Sequence, residues 1–301
     1  MRKVFLDMDP GVDDALAIMM GSVLDDLEVV GISTVAGNVD VRKTTANALK
    51  LTETLGLKTK VYRGASRPLL RPYVGSEHVH GRDGLGEVGL PPPTSKEDGT
   101  CAPEAIIQAA RAEGKKLHLV ATGPLTNIAM SLMLEPDLPS LVGEFVIMGG
   151  AFGLTACGGG NVTKFSEYNI WADPEAARAV FESFDGMVAV GLDVTMDPAV
   201  LLSSADMDSL PRTGRGALAR QMAGFVIRRF GFFAPHDPLA LYHVSDPSVL
   251  KLSRMKARVL LDEGEQRGRT LAEPPGDKGW AMVASGVDGR RFKEAFLGSL
   301  G

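Results

Sequence analysis

Cysteine is scarce in this chain. Cys101 and Cys157 are too few for a disulfide framework, and their number fits a reducing compartment. An excess of basic charge is missing as well: 32 Lys and Arg face 37 Asp and Glu, for a net charge of -5. General nucleic-acid binding therefore finds no support in the charge balance. No apolar run reaches the ~20 residues that span a bilayer, so no membrane partner is expected. The first residues run directly into strand formers, so no secretory leader is expected, and a cytoplasmic enzyme is the starting class. Nucleotide fingerprints are lacking too. Gly149, Gly150 and Gly153 follow an apolar run, but no Gly-x-Gly-x-x-Gly opens a helix there. Gly158 to Gly160 leads into Asn161, without the Lys-Ser or Lys-Thr of a phosphate loop.

What is present is a dense acidic turn. Val4, Phe5 and Leu6 read as a strand, and Ala15 to Met20 as a buried helix. Between them lie Asp7, Asp9, Asp13 and Asp14, punctuated by Pro10 and Gly11. Crowded carboxylates repel, so they need a shared proton or a cation. A hard divalent ion with oxygen ligands meets that need. The bland alternative is a solvated turn whose acids favour the N-terminus of the following helix.

The strand–loop–helix unit then repeats. Strands are expected at Leu27 to Val35, Thr59 to Tyr62, Leu117 to Ala121, Glu144 to Met148 and Met187 to Gly191. Helices are expected at Val39 to Leu55, Glu104 to Arg111, Thr126 to Leu134 and Ala176 to Phe184, the last with Asp173 as cap and Pro174 in its first turn. Ser203 to Arg229 reads as helical, Leu239 to Val244 as a buried helix, and Arg290 to Leu297 as the last helix. Short strands at Lys256 to Leu261, Arg269 to Leu271 and Met282 to Ala284 allow antiparallel pairing in the tail. Arg63 to Thr100 has no periodicity and holds His78 and His80; a loop of that length is usually functional or flexible. The pattern predicts a single α/β domain over 1–301, with a mostly parallel central sheet flanked by helices.

In such folds chemistry gathers beyond the carboxyl ends of the strands. Asp9, Asn38, Thr122, Met148 and Asp193 all sit at or just after strand ends. Asp13, Asn38, Asn161, Glu167 and Asn169 are short donors and acceptors that suit hydroxyls, as in a sugar. Each alone also fits a turn or a cap. No basic cluster faces the acidic stretch, which disfavours a polyanionic substrate.

Taken in order, Asp7-Met8-Asp9-Pro10-Gly11-Val12-Asp13-Asp14, Thr122-Gly123-Pro124-Leu125-Thr126-Asn127, Met148-Gly149-Gly150, Glu167-Tyr168-Asn169 and His236-Asp237 resemble the inosine–uridine-preferring nucleoside hydrolase family. The resemblance spans nearly the whole chain. It implies hydrolysis of the N-glycosidic bond of ribonucleosides to free base and ribose, one Ca²⁺ at the pocket floor, a small-molecule nucleoside as partner, and a homodimer or homotetramer. Matched position by position, it makes Asp9, Asp14 and Asp237 carboxylate ligands and gives Thr122 a carbonyl ligand. Asp13 matches a ribose-hydroxyl acceptor, and Asn38, Met148, Asn161, Glu167 and Asn169 match the rest of the sugar-contacting set. His80 matches a base-side histidine. His236 matches the histidine that assists the leaving base, and Asp9 the base that activates water.

Some positions depart from the family pattern. Met8 replaces a frequent cysteine. Around the base pocket Phe225, Phe230, Phe232 and Phe233 are available where tyrosines are common, so stacking is retained and hydroxyl hydrogen bonds are lost. Arg228 and Arg229 are candidates for base contacts or for surface, and His78 is expected to be exposed or structural. Two other readings compete. A haloacid-dehalogenase-type phosphohydrolase also places two aspartates one residue apart after its first strand, as Asp7 and Asp9 stand here. A catalytically silent nucleoside or sugar binder on the same fold would need no water activator.

Overall fold

The computed structural model describes residues 1–276 and 279–301. One nine-stranded sheet runs through them in the order β3-β2-β1-β4-β5-β6-β9-β7-β8. In chain order the strands are β1 (Arg2–Met8), β2 (Leu27–Thr34), β3 (Val61–Arg63), β4 (Leu117–Ala121), β5 (Glu144–Met148), β6 (Val188–Val190), β7 (Leu250–Val259), β8 (Thr270–Glu273) and β9 (Trp280–Val287). Every pair from β3 across to β9 is parallel. β7 alone runs against its neighbours β8 and β9. The chain winds outward from β1 to β3, then returns to place β4 on the other side of β1. That reversal leaves a crevice beyond the carboxyl ends of β1 and β4, where open α/β sheets bind ligands.

The longer helices are α1 (Val12–Gly21), α2 (Val41–Thr54), α3 (Ala102–Glu113), α4 (Thr126–Leu134), α5 (Pro174–Ser183), α6 (Gly214–Phe230), α7 (His236–Ser245) and α8 (Gly289–Leu300). Strand side chains alternate between two cores, as the period of two demands. Val4, Leu6 and Met8 join Leu16 of α1, Leu51 of α2, Met222 of α6, Leu239 of α7 and Phe296 of α8. Phe5, Leu119 and Phe145 face the other way, toward Ile106 of α3, Ile128 of α4 and Phe181 of α5. None of the described helices is long and apolar enough to cross a membrane.

Three expected boundaries shift for physical reasons. α1 begins at Val12, three residues before the apolar run, so Asp13 and Asp14 lie in its first turn. Acids there are favoured by the helix dipole, and Asp14 Oδ2 accepts the Gly11 N–H at 2.9 Å. The helix expected over Ser203 to Arg229 is two, Ser204–Asp208 and α6, because Pro211 intervenes and the α6 backbone at Gly216 packs against it. β7 starts at Leu250 rather than Lys256, since the exposed Lys251 and Arg254 interrupt the apolar pattern there.

Candidate active site

The crevice beyond β1 and β4 is a cavity of about 300 Å³. Its floor is acidic and its outer wall apolar, the latter formed by Val79, Val162, Met196, Val226, Phe230, Phe232 and Phe233. No Lys or Arg lines it among the described residues. Phe225 is not part of the wall; Arg229 lies over its ring at 5.3 Å. Arg228 and Arg229 are exposed outside the cavity.

The floor is assembled from four parts of the chain. The turn after β1 supplies Asp9, and the first turn of α1 supplies Asp13 and Asp14; Asp13 lines the cavity, whereas Asp9 and Asp14 are fully buried and do not line it. The turn after β4 supplies Thr122, and the first turn of α7 supplies Asp237. All five are buried. Oxygens of Asp13, Asp14 and Asp237 lie within 4.8 Å of one another. At that spacing each charged pair repels by roughly 3–4 kcal/mol at an effective dielectric of about 20, so three free charges are untenable without protons or a cation.

Asp9 is set differently. Its Oδ2 accepts the Asn38 N–H at 2.7 Å, while its Oδ1 is buried with no hydrogen-bond partner. Burial pushes its carboxyl well above the usual range, and the charges of Asp14 and Asp13 add to that. Burial and then Asp14 raise Asp13 to about 8. Burial also raises Asp14, against the opposing Gly11 N–H and Thr122 hydroxyl. Asp237 is driven well up by burial and by its three acidic neighbours.

Amides brace these acids. Asn38 Nδ2 donates to the Asp9 carbonyl and to Asp14 Oδ2, each at 3.2 Å. Thr122 Oγ1 donates to Asp14 Oδ1 at 3.0 Å. Asn169 Nδ2 donates to the carbonyls of Thr122 at 2.8 Å and Met148 at 3.1 Å. Glu167 caps a short helix, Tyr168–Ala172, accepting the Asn169 and Ile170 N–H groups as well as that of Gly150. Asn161 lines the cavity from an exposed position.

Three histidines line the wall. His80 accepts the Val12 N–H at Nδ1, 3.1 Å away, so its own proton sits on Nε2. Burial, then His236 and His78, lower it to about 3. His236 pairs through Nδ1 with the buried Thr195 Oγ1 at 2.7 Å, and burial lowers it to about 4. His78 is exposed, as expected, yet it lines the cavity too.

A model of the family described as "inosine-uridine preferring nucleoside hydrolase" matches residues 4–294. The chain belongs to that family. It is 34% identical over 283 residues to the pyrimidine-specific ribonucleoside hydrolase RihB of Escherichia coli (strain K12), covering 91% of this chain and 88% of the relative. Among solved structures it resembles the plant nucleoside hydrolase PpNRh1, with a TM-score of 0.92, 31% identity, and coverage of 99% and 98%. It also resembles a purine-preferring ribonucleoside hydrolase from Gardnerella vaginalis, with a TM-score of 0.91, 34% identity, and the same coverage. As a nucleoside hydrolase the chain is a glycosidase that cleaves the N-glycosidic bond of ribonucleosides.

Several residues of this nucleoside hydrolase carry weight that its sequence did not reveal. Ser76 donates through its hydroxyl to Asn38 Oδ1 at 2.8 Å and through its N–H to the Asn38 carbonyl at 2.9 Å. Tyr168 Oη lies 2.7 Å from the Gly37 carbonyl and 2.9 Å from that of Val74. Together they pin the 74–80 segment to the floor. Asp193, placed by sequence among the strand-end residues, instead accepts the N–H groups of Phe152 and Leu154 and so anchors the glycine-rich loop. Asp7 turns away toward α4, accepting from Asn127 Nδ2 at 2.7 Å and Ser33 Oγ at 2.5 Å. Burial lifts it to about 7.

Two glycine backbones pack directly on Asp9. A Cβ at Gly37 would lie 2.0 Å from Asp9 Oδ2, and one at Gly123 2.8 Å from Asp9 Oδ1. Gly37→Ala is therefore expected to push the Asp9 carboxylate aside. Overpacking of this kind costs about 1–3 kcal/mol. Thermal melts should show that loss, together with a fall in kcat of at least about tenfold. Wild-type turnover in the variant would show that Asp9 tolerates displacement.

Proposed function

We propose that this chain hydrolyses purine and pyrimidine ribonucleosides to base and ribose with one Ca²⁺ on the acidic floor. The observation that carries the reading is the buried carboxylate cluster at the cavity floor, with no Lys or Arg lining the cavity among the described residues. The donor set fits a hard cation: every candidate ligand is an oxygen, and buried oxygens of Asp9 and Asp13 have no partner. Asp9, Asp14 and Asp237 would hold the ion with the Thr122 carbonyl, and Asp13 would border it as the ribose-hydroxyl acceptor. When bound, the ion supplies positive charge that offsets the carboxylates and acidifies water beside it.

The chain's own residues do the rest. Asn38, braced by Ser76, and Asn169, held on two carbonyls, orient the ribose with Asn161 and the Met148 edge of the cavity. Bond cleavage leaves positive charge on C1′ and the ring oxygen, and Glu167 stabilises it from a fixed cap position. Asp9 takes a proton from the attacking water as the general base. His236 faces the departing base with the ring atom not held by Thr195. The Phe230, Phe232 and Phe233 rings supply stacking without hydroxyls, which supports acceptance of both base classes.

The test is free ribose from inosine, adenosine, uridine and cytidine, with Ca²⁺ and after chelation. Release that needs the metal is expected. Tight nucleoside binding without ribose would favour a silent binder instead. In the same assay His236→Ala should lower kcat for inosine by about 10² with a much smaller change in KM. Equal losses in kcat and substrate affinity would assign His236 to binding.

A further inference from the structure

His78 and His80 are the cavity-wall imidazoles that the chemistry above leaves unused, and of the two His78 is the exposed one. It stands on the single helical turn Glu77–His80, exposed at the mouth. The other two rings have restricted proton traffic. An imidazole relays a proton by accepting at one nitrogen and releasing from the other. His80 cannot, because the Val12 N–H occupies its Nδ1. His236 has its Nδ1 turned to the fully buried Thr195, so its exchange with water runs through the cavity that the substrate fills. His78 has direct access to solvent while its segment is fixed in place. Tyr168 Oη holds the Val74 carbonyl at 2.9 Å, and Ser76 is bonded twice to Asn38. Gly81, with φ of 85°, ends the turn and lets the chain leave the mouth.

We propose that His78 is a second proton donor to the departing base, acting from the cavity mouth and recharged directly from water. The proposal rests on the hydrolase reading above and deepens it. As the C1′–N bond breaks, its electron pair moves to the base nitrogen. The protonated His78 ring gives its N–H proton to a nitrogen of the base and becomes neutral. C1′ takes the hydroxide portion of a water whose remaining proton goes to the Asp9 carboxylate. Asp9 then loses that proton to solvent and His78 gains one from it. Nucleoside and water have become neutral base and ribose, and the enzyme is unchanged.

Leaving-group dependence separates an acid from a structural residue. Inosine releases a base that needs a proton, whereas 4-nitrophenyl β-D-ribofuranoside releases a stable anion. Both substrates are assayed with the Ca²⁺-loaded full chain, as wild type, His78→Ala and His78→Gln. Both variants are expected to lose about tenfold in kcat/KM for inosine and to stay within about twofold of wild type on the nitrophenyl riboside. Gln retains polarity and comparable size but is no acid, so it should fall with Ala. Equal losses on the two substrates, unchanged inosine turnover, or inosine turnover preserved by Gln would each overturn the proposal. Wild type that releases ribose from neither substrate would instead overturn the hydrolase reading, and the role of His78 with it.

Discussion

Asp9→Asn is expected to lower kcat for ribose release by about 10³ while the protein folds and its apo form becomes more stable. The kinetic loss follows from removing a general base, worth about 10²–10⁴ in rate. Folding survives because an asparagine oxygen can still accept the Asn38 N–H that now reaches Asp9 Oδ2 at 2.7 Å. The gain in stability follows from the environment. Burial and the charges of Asp14 and Asp13 all disfavour the ionised Asp9 carboxylate. A neutral amide of the same shape removes that repulsion. Melting curves of the metal-free proteins should therefore place the variant above wild type, while initial rates with Ca²⁺ place it far below. A variant that is both less stable and only mildly slower would make Asp9 a packing residue, and the water activator would have to be sought elsewhere on the floor.

Stripping the metal is expected to abolish turnover and to make stability fall as pH rises. The sign follows from the carboxyl groups. Asp13 is raised to about 8 in the folded chain, against about 3.9 for an aspartate in an unfolded one. Between those values the folded state binds more protons than the unfolded state. Its contribution to stability is complete below the unfolded value and is lost as pH climbs through the folded one. Asp237 and Asp9 shift in the same direction. A bound divalent ion takes the place of the shared protons, so the loaded protein should change little from pH 5 to 8. The measurement is Tm at several pH values in that window, with Ca²⁺ and with chelator. The gap between the two curves should widen toward pH 8. Parallel curves would mean that the floor acids share no protons in the apo chain and that the ion is held elsewhere.

The acidic turn was legible because its chemistry is local: no apolar core tolerates that many carboxylates without a reason. The parallel sheet was legible because buried strands read as unbroken apolar runs between helical patterns. The 74–80 segment was not. Its order comes from Tyr168, Asn38 and Val12, which lie far away in sequence, and nothing within the segment signals them. Thr195 follows β6 in the chain, but its service to His236 appears only when the start of α7 docks beside it. Asp193 shows the converse. Position after a strand marked it for chemistry, whereas its partners show a loop anchor. Gly158 and Gly160 are explained by the same anchor and a tight reversal, since a Cβ at Gly158 would lie 2.3 Å from Asp193 Oδ1 and one at Gly160 2.3 Å from the Ser166 nitrogen.

The place of β1 in the sheet bears on how the molecule is made. It precedes every other strand of the sheet along the chain, yet it lies in the interior of the sheet, between β2 and β4. Its second neighbour begins only at Leu117, and the carboxylate of Asp237 is translated much later still. A nascent chain therefore carries Asp13 and Asp14 through the synthesis of β2 to β6 without the residue that completes their cluster. Domains fold as units once enough chain has emerged, and contacts this distant in sequence form slowly. A cation held by that cluster would therefore be a seal on an assembled sheet rather than a seed for it.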